Sequence, residues 1–161
     1  GGTLRINGNQ TGATGLVTVA DGAFLGGSGT LGGGLTIAAG GKLDLTGATI
    51  GSSSSGILTL PETATLTLGN LTFQDLVGWD WANADVGTYE LIAGNFTIDF
   101  GATAYTSEAT AYDFGNGNKG YFSSGSLIVN IIPVPEPAAM ALAGLGLAGA
   151  VAAFRRVRRK A

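Results

Sequence analysis

Short strands of aliphatic, Thr, aliphatic recur along the first part of the chain: LVTV (16–19), LTI (35–37) and LTL (58–60). This alternation sends the aliphatics to one face of a strand and the Thr to the other. A small-residue turn follows each, and then a second short strand with its own aliphatics: Leu25, then Leu43 with Leu45, then Leu66 with Leu68. Aligning LVTVADGAFL (16–25) with GLTIAAGGKL (34–43) at an offset of 18 matches Val17 with Leu35, Thr18 with Thr36, Val19 with Ile37, Gly22 with Gly40 and Leu25 with Leu43. A further offset of 23 brings in LTLPETATL (58–66), with Leu58, Thr59, Leu60 and Leu66 against Leu35, Thr36, Ile37 and Leu43. LRING (4–8) fits in its first strand only. One such unit cannot bury its apolar face alone, whereas stacked units can, which is the logic of a solenoid. The spacing predicts a β-solenoid with two strands per coil over residues 1–70. GGSGTLGG (26–33) and GSSSSG (51–56) are expected as its loops.

The pattern changes after residue 70. Aromatics enter, among them Phe73, Trp79, Trp81, Tyr89, Tyr105, Tyr112, Phe114 and Phe122, between the strand-like runs TYELIA (88–93), NFTIDF (95–100) and SLIVNII (126–132). A solenoid end exposes an open core and free strand edges, and needs a cover. Residues 71–132 are therefore expected to form a β-rich aromatic cap. Trp79 and Trp81 would share a face if extended, which suits either cap packing or a sugar-stacking platform; packing is the simpler reading.

The tail, 133–161, changes again. Pro133, Pro135 and Pro137 alternate, which predicts an extended, unpaired linker over 133–137. Ala138 to Phe154 then run for seventeen residues without a charge, including Leu142, Leu145, Leu147 and Val151. As a helix this segment would be about 25 Å long at ~1.5 Å per residue, near the minimum for a bilayer core. It has no polar face for water. Arg155, Arg156, Arg158, Arg159 and Lys160 follow at once. That order fits one transmembrane helix over 138–154 with a basic cytoplasmic tail over 155–161 acting as a stop.

Composition narrows the chemistry. Glycine is abundant, at 29 residues, which disfavours helix, yet 45% of the chain is apolar, too much for a solvated disordered tract. There is no Cys and no His, so no disulfide framework, thiol nucleophile or Cys/His metal site. Residues 1–132 hold ten acids against Arg5, Lys42 and Lys119, a charge of −7; residues 133–161 carry +4. The acidic body is unsuited to nucleic acid, while the basic end suits an anionic inner leaflet. No acid repeats at coil spacing with a partner base, so no catalytic residues, cofactor or metal site are assigned and the chain is expected not to be an enzyme. Lys42 and Asp44 alternate on one strand face and are read as a surface ion pair. DFGNGNKG (113–120) lacks the carboxylates of a calcium loop and is read as a turn. Neither a basic n-region nor an apolar h-region opens the sequence at Gly1, and the chain is read as the C-terminal part of a longer protein.

Two resemblances sharpen these readings. GLVTVADGAFLGGSGTLGGGLTIAAGGKLDL (15–45) resembles the passenger-associated repeats of autotransporter-like surface proteins, which implies a right-handed parallel β-helix. Val134-Pro135-Glu136-Pro137, the Ala/Gly/Leu-rich span and the Arg cluster resemble the PEP-CTERM sorting signal. That resemblance implies an exosortase-like membrane protease as partner, in Gram-negative bacteria that make exopolysaccharide. It also implies cleavage near Pro-Glu-Pro after transient anchoring in the inner membrane, and delivery to the cell surface or matrix. The expected fold is all-β: a short right-handed parallel β-helix with an aromatic cap, then one C-terminal transmembrane helix. The expected function is structural display, with exopolysaccharide as a further candidate partner. An adhesin with its ligand site on the solenoid or upstream is the alternative, and a fragment of a β-helical polysaccharide-active enzyme a more distant one.

Overall fold

The computed structural model describes residues 1–48, 50 and 56–135. These residues are all-β, apart from two single 3₁₀ turns at Phe73–Asp75 and Glu108–Thr110. The expected transmembrane helix at 138–154 and the basic tail lie outside the described residues. No helix among the described residues is long and apolar enough to cross a membrane.

Twelve short strands fill three sheets in rotation. β1 (Thr3–Ile6), β4 (Phe24–Gly27), β7 (Lys42–Asp44) and β10 (Leu76–Val77) pair in parallel in one sheet. β3 (Val17–Val19), β6 (Leu35–Ile37), β9 (Thr65–Leu68) and β12 (Thr97–Asp99) do so in another. β2 (Asn9–Gln10), β5 (Thr30–Leu31), β8 (Leu58–Thr59) and β11 (Gly87–Ala93) begin the third. Each strand thus pairs with the strand three places on. Antiparallel pairing then takes over: β15 (Leu127–Pro133) joins β11, β14 (Asn118–Ser123) joins β15, and β13 (Tyr112–Asp113) joins β14.

The register explains the sequence pattern. Leu25, Leu43 and Leu76 stack in one file, Leu35 and Leu66 in a second, and Ile37 and Leu68 in a third, all buried. Thr18, Thr36 and Thr67 stack on the opposite face. Parallel strands reward this repetition, because identical side chains meet at van der Waals distance with no change of register. The corner between the sheets also repeats. Gly22 and Gly40 hold φ of 68° and 78°, a conformation that costs a residue with a Cβ.

Three expectations need correction. Each repeat supplies three strands, not two: β5 lies inside GGSGTLGG, where Leu31 is buried. The second repeat offset is 31, not 23, since Leu35, Thr36 and Ile37 sit beside Leu66, Thr67 and Leu68. LTLP (58–61) instead supplies β8 of the third sheet. The longer repeat contains an insertion between β7 and β8, which shifted the apparent match onto the wrong LTL. LRING likewise stacks on Phe24–Gly27, the second type of strand, with Leu4 beside Leu25.

The aromatic residues gather where the antiparallel strands meet the last parallel ones. Phe73 stands at the centre, stacked on fully buried Phe122 at 4.9 Å and met edge-on by Phe114 at 5.0 Å and Trp81 at 6.2 Å. Thr103, buried, accepts the Leu71 N–H at 2.9 Å and closes a loop that would otherwise leave a buried donor unpaired.

Candidate sorting and processing site

The sorting motif predicted from sequence begins where β15 ends. β15 lies between two neighbours over most of its length. Its partnership with β11 stops at Ile131, opposite Gly87, while pairing with β14 continues to Pro133, opposite Asn118. Ile132 and Pro133 are therefore held from one side only. One further bond extends the ladder: the Val134 N–H donates to the Gly117 carbonyl at 2.7 Å. Pro135 is exposed. The expected extended linker is accordingly corrected at its start. Pro133 closes the strand because it needs no donor there, and Val134 is paired, not free. Glu136, Pro137, the span residues and the five basic residues lie outside the described residues.

The turn that holds Val134 is built by short polar side chains. The Asp113 carboxylate accepts the Gly115 N–H at 2.8 Å, and the Asn116 side-chain carbonyl accepts the Asn118 N–H at 3.2 Å. Gly115 and Gly117 take φ of 78° and 92°. Side-chain bonds of this kind close tight turns without a metal. The same turn is tied to the loop before β11. The Asn118 amide donates to the Ala84 carbonyl at 3.3 Å, and the Asn116 amide donates to the Ala82 carbonyl. Sequence reasoning placed a turn here and missed its attachment, because nothing in GNGNKG marks which distant carbonyls its amides will meet.

Trp79 and Trp81 sit in a loop after β10, not on a strand. Their rings lie 6.1 Å apart, and Trp81 is buried edge-on against Tyr89 at 5.7 Å. Both indole nitrogens are buried without a protein partner. Trp81 lies in the buried core, and Trp79 is partly buried against it. Burial, with the Asp85 charge nearby, pushes the Tyr89 hydroxyl above its ordinary value; that hydroxyl donates to the Asp85 carbonyl at 2.7 Å.

A cleft of about 380 Å³ contains the single ion pair among the described residues. Its partners are Arg5 and Asp44 at 2.5 Å, not Lys42 and Asp44. Lys42 instead lies over the Phe24 ring, 5.6 Å from its centre. Stacking of β1, β4 and β7 brings Arg5 and Asp44 together across Gly26. Thr46, through its side chain and its amide, holds Asp44 below the ordinary carboxylate value of 3.8, and Arg5 adds to the effect. A carboxylate shifted down contributes stability above its unfolded value and loses it as pH falls through the folded one. Asp44→Asn is therefore expected to cost a little stability at neutral pH and almost none well below pH 3.8, where Asp44 is protonated in both states. The effect should stay under about 1 kcal/mol, since the guanidinium is nearly half exposed. Urea unfolding of both proteins at low and neutral pH measures it; an equal loss at both pH values would contradict it.

With this geometry in hand, comparison with known proteins gives two matches. Residues 133–159 match the PEP-CTERM protein-sorting motif. The chain is also 54% identical, over 43 residues, to the Adhesin BmaC autotransporter of Brucella suis biovar 1 (strain 1330). That stretch is 27% of this chain and 1% of the adhesin's length. No solved structure matches. The chain thus carries a protein-sorting motif of the PEP-CTERM kind, which implies export to the cell surface through membrane-held processing.

Proposed function

We propose that this chain is the C-terminal part of an exported bacterial surface or matrix protein, a display stalk delivered by its own tail. The sorting motif at 133–159, attached directly to the end of β15, carries this reading. The body is a short parallel β-helix. Support comes from the rotation of twelve strands through three sheets, each paired in parallel with the strand three places on. Parallel crossovers are overwhelmingly right-handed, so the coil is too. The solenoid and its cap meet where the pairing direction changes, after Asp99; this extends the coils beyond the expected boundary at residue 70.

Residues 138–154 cross the inner membrane transiently, with the basic cluster left in the cytoplasm on the anionic leaflet. Val134, Pro135, Glu136 and Pro137 are the recognition segment for an exosortase-like protease. Glu136 then belongs to a substrate and has no catalytic duty. The chain itself is not an enzyme, and exopolysaccharide is the proposed surroundings of the released body.

A second reading, adhesion, is favoured by one observation: the matched autotransporter is an adhesin by name. Its site would lie on the solenoid flank or upstream, and binding of the isolated body to a glycan array would support it.

Intact-mass measurement of the mature protein from its own host tests the first reading. The expected C-terminus lies near Pro135. Surface protein that still ends at Ala161 would replace processing with a permanent tail anchor.

A further inference from the structure

Val134 is bonded to the body, and the apolar segment begins at Ala138. Four residues of chain reach at most about 14 Å however they are arranged. If the sorting reading above holds, the enzyme that cuts near Pro135 meets a folded domain almost at once. Proteases take their substrates as extended segments, through backbone N–H and C=O groups on both sides of the cut. Those groups cannot serve two partners together. On the upstream side, Ile132 is paired with Lys119 and the Val134 N–H is already bonded to the Gly117 carbonyl, while Pro133 between them has no N–H to offer.

We propose that the turn Asn116–Gly117–Asn118 is a latch on the processing strand, and that cleavage requires it to open. Three features make it a latch and not merely the end of a hairpin. Beyond Ile131 the strand has lost its second neighbour, so β14 and this turn alone hold it. The turn is itself clamped from outside the hairpin, by the Asn116 and Asn118 amides on the Ala82 and Ala84 carbonyls. The clamping loop is fixed in turn, because Trp81 and Ala84 are buried in the aromatic cluster. Opening therefore costs two side-chain bonds and the end of a ladder, yet leaves Gly87–Ile131 and everything beneath it intact. The latch takes no part in breaking the peptide bond. It sets how often the bond becomes reachable, and it makes a folded cap the condition for slow, orderly processing.

The test uses the full chain in cells that process it, followed by pulse-chase with an antibody to the C-terminal residues. Lys119 and Ile132 face each other across the two strands, and the chain has no cysteine of its own. Lys119→Cys with Ile132→Cys thus installs a lock that a reductant releases. The oxidised pair is expected to lose its C-terminal epitope at least about tenfold more slowly than wild type, and to recover the wild-type rate on reduction. Asn118→Ala, which removes one clamp, is expected to speed processing by about fivefold. Each single Cys variant should behave as wild type, which separates locking from misfolding. An oxidised pair processed at the wild-type rate would overturn the latch while leaving the sorting reading in place. A wild-type chain that never loses its C-terminus would overturn the sorting reading, and the latch with it.

Discussion

Leu145→Arg is expected to free the unprocessed chain from the membrane. Leu145 lies near the middle of the uncharged run from Ala138 to Phe154. Five residues, Leu142, Leu145, Leu147, Val151 and Phe154, supply most of its hydrophobicity, at roughly −0.3 to −0.6 kcal/mol each. Their total is about −1.5 to −3 kcal/mol before any cost from the three glycines of the run. An Arg near the centre adds about +2.5 to +3.5 kcal/mol, enough to cancel the whole. Partitioning should therefore shift by about two orders of magnitude. Leu145→Ala should shift it only slightly, which separates charge from loss of bulk. Fractionation of cells in which cleavage is blocked by Glu136→Ala reads the result, and flotation with vesicles checks it outside the cell. Arg protein that still floats would mean that the segment is held by something other than insertion. A margin this narrow suits a hold that is meant to be temporary.

How far the sequence disclosed this molecule depended on whether a feature was local. The first repeat was legible to the residue, since Val17 with Leu35 and Leu25 with Leu43 are true neighbours. Equal spacing of the paired strands made sequence offset and spatial register the same quantity there. The next repeat broke that equality. Its insertion between β7 and β8 left two candidate strands, LTL at 58–60 and TLTL at 65–68, and the alternation of aliphatic and Thr is nearly the same in both. Only the pairing of β6 with β9 in three dimensions chose the second. β5 was hidden for a different reason: a two-residue strand inside a Gly-rich stretch has too short a pattern to show a period. The strands TYELIA and SLIVNII were long enough to be read, but their antiparallel partnership was not, because period two is indifferent to direction. At the tail the signal was compositional, and Pro-Glu-Pro with its apolar run and Arg cluster stood out without any fold. What could not be read was how the fold grips that tail, since the Asn116 and Asn118 clamps join residues 34 apart in sequence.

Phe73→Ala is expected to be the most damaging single change within the body, because it removes the ring about which the aromatic cluster is assembled. Phe73 is 6% exposed and lies on the 3₁₀ turn that leads into β10. Its ring centre is within 6.2 Å of Trp81, Tyr105, Tyr112, Phe114 and Phe122. These partners come from the loop after β10, the segment before β13, β13 itself and the hairpin, so one side chain ties the antiparallel strands to the segment that leads into β10. The space around it is closely fitted: a Cβ on Gly120 would stand 2.8 Å from its ring. Rings so clustered cannot collapse into a void without leaving their rotamers, so the cavity term adds to the lost burial. The expected cost is about 3–5 kcal/mol, a large share of a domain stability of about 5–15 kcal/mol. Val86→Ala, at a side chain 56% exposed, should stay within about 0.5 kcal/mol and serves as the control. Urea unfolding gives the stability difference, and near-ultraviolet circular dichroism reports the ordered rings directly. Since the same cluster buries the loop that clamps Asn116 and Asn118, the variant should also process faster than wild type. A loss below about 1 kcal/mol, with the aromatic signal unchanged, would mean that the strands hold the cover in place without the rings.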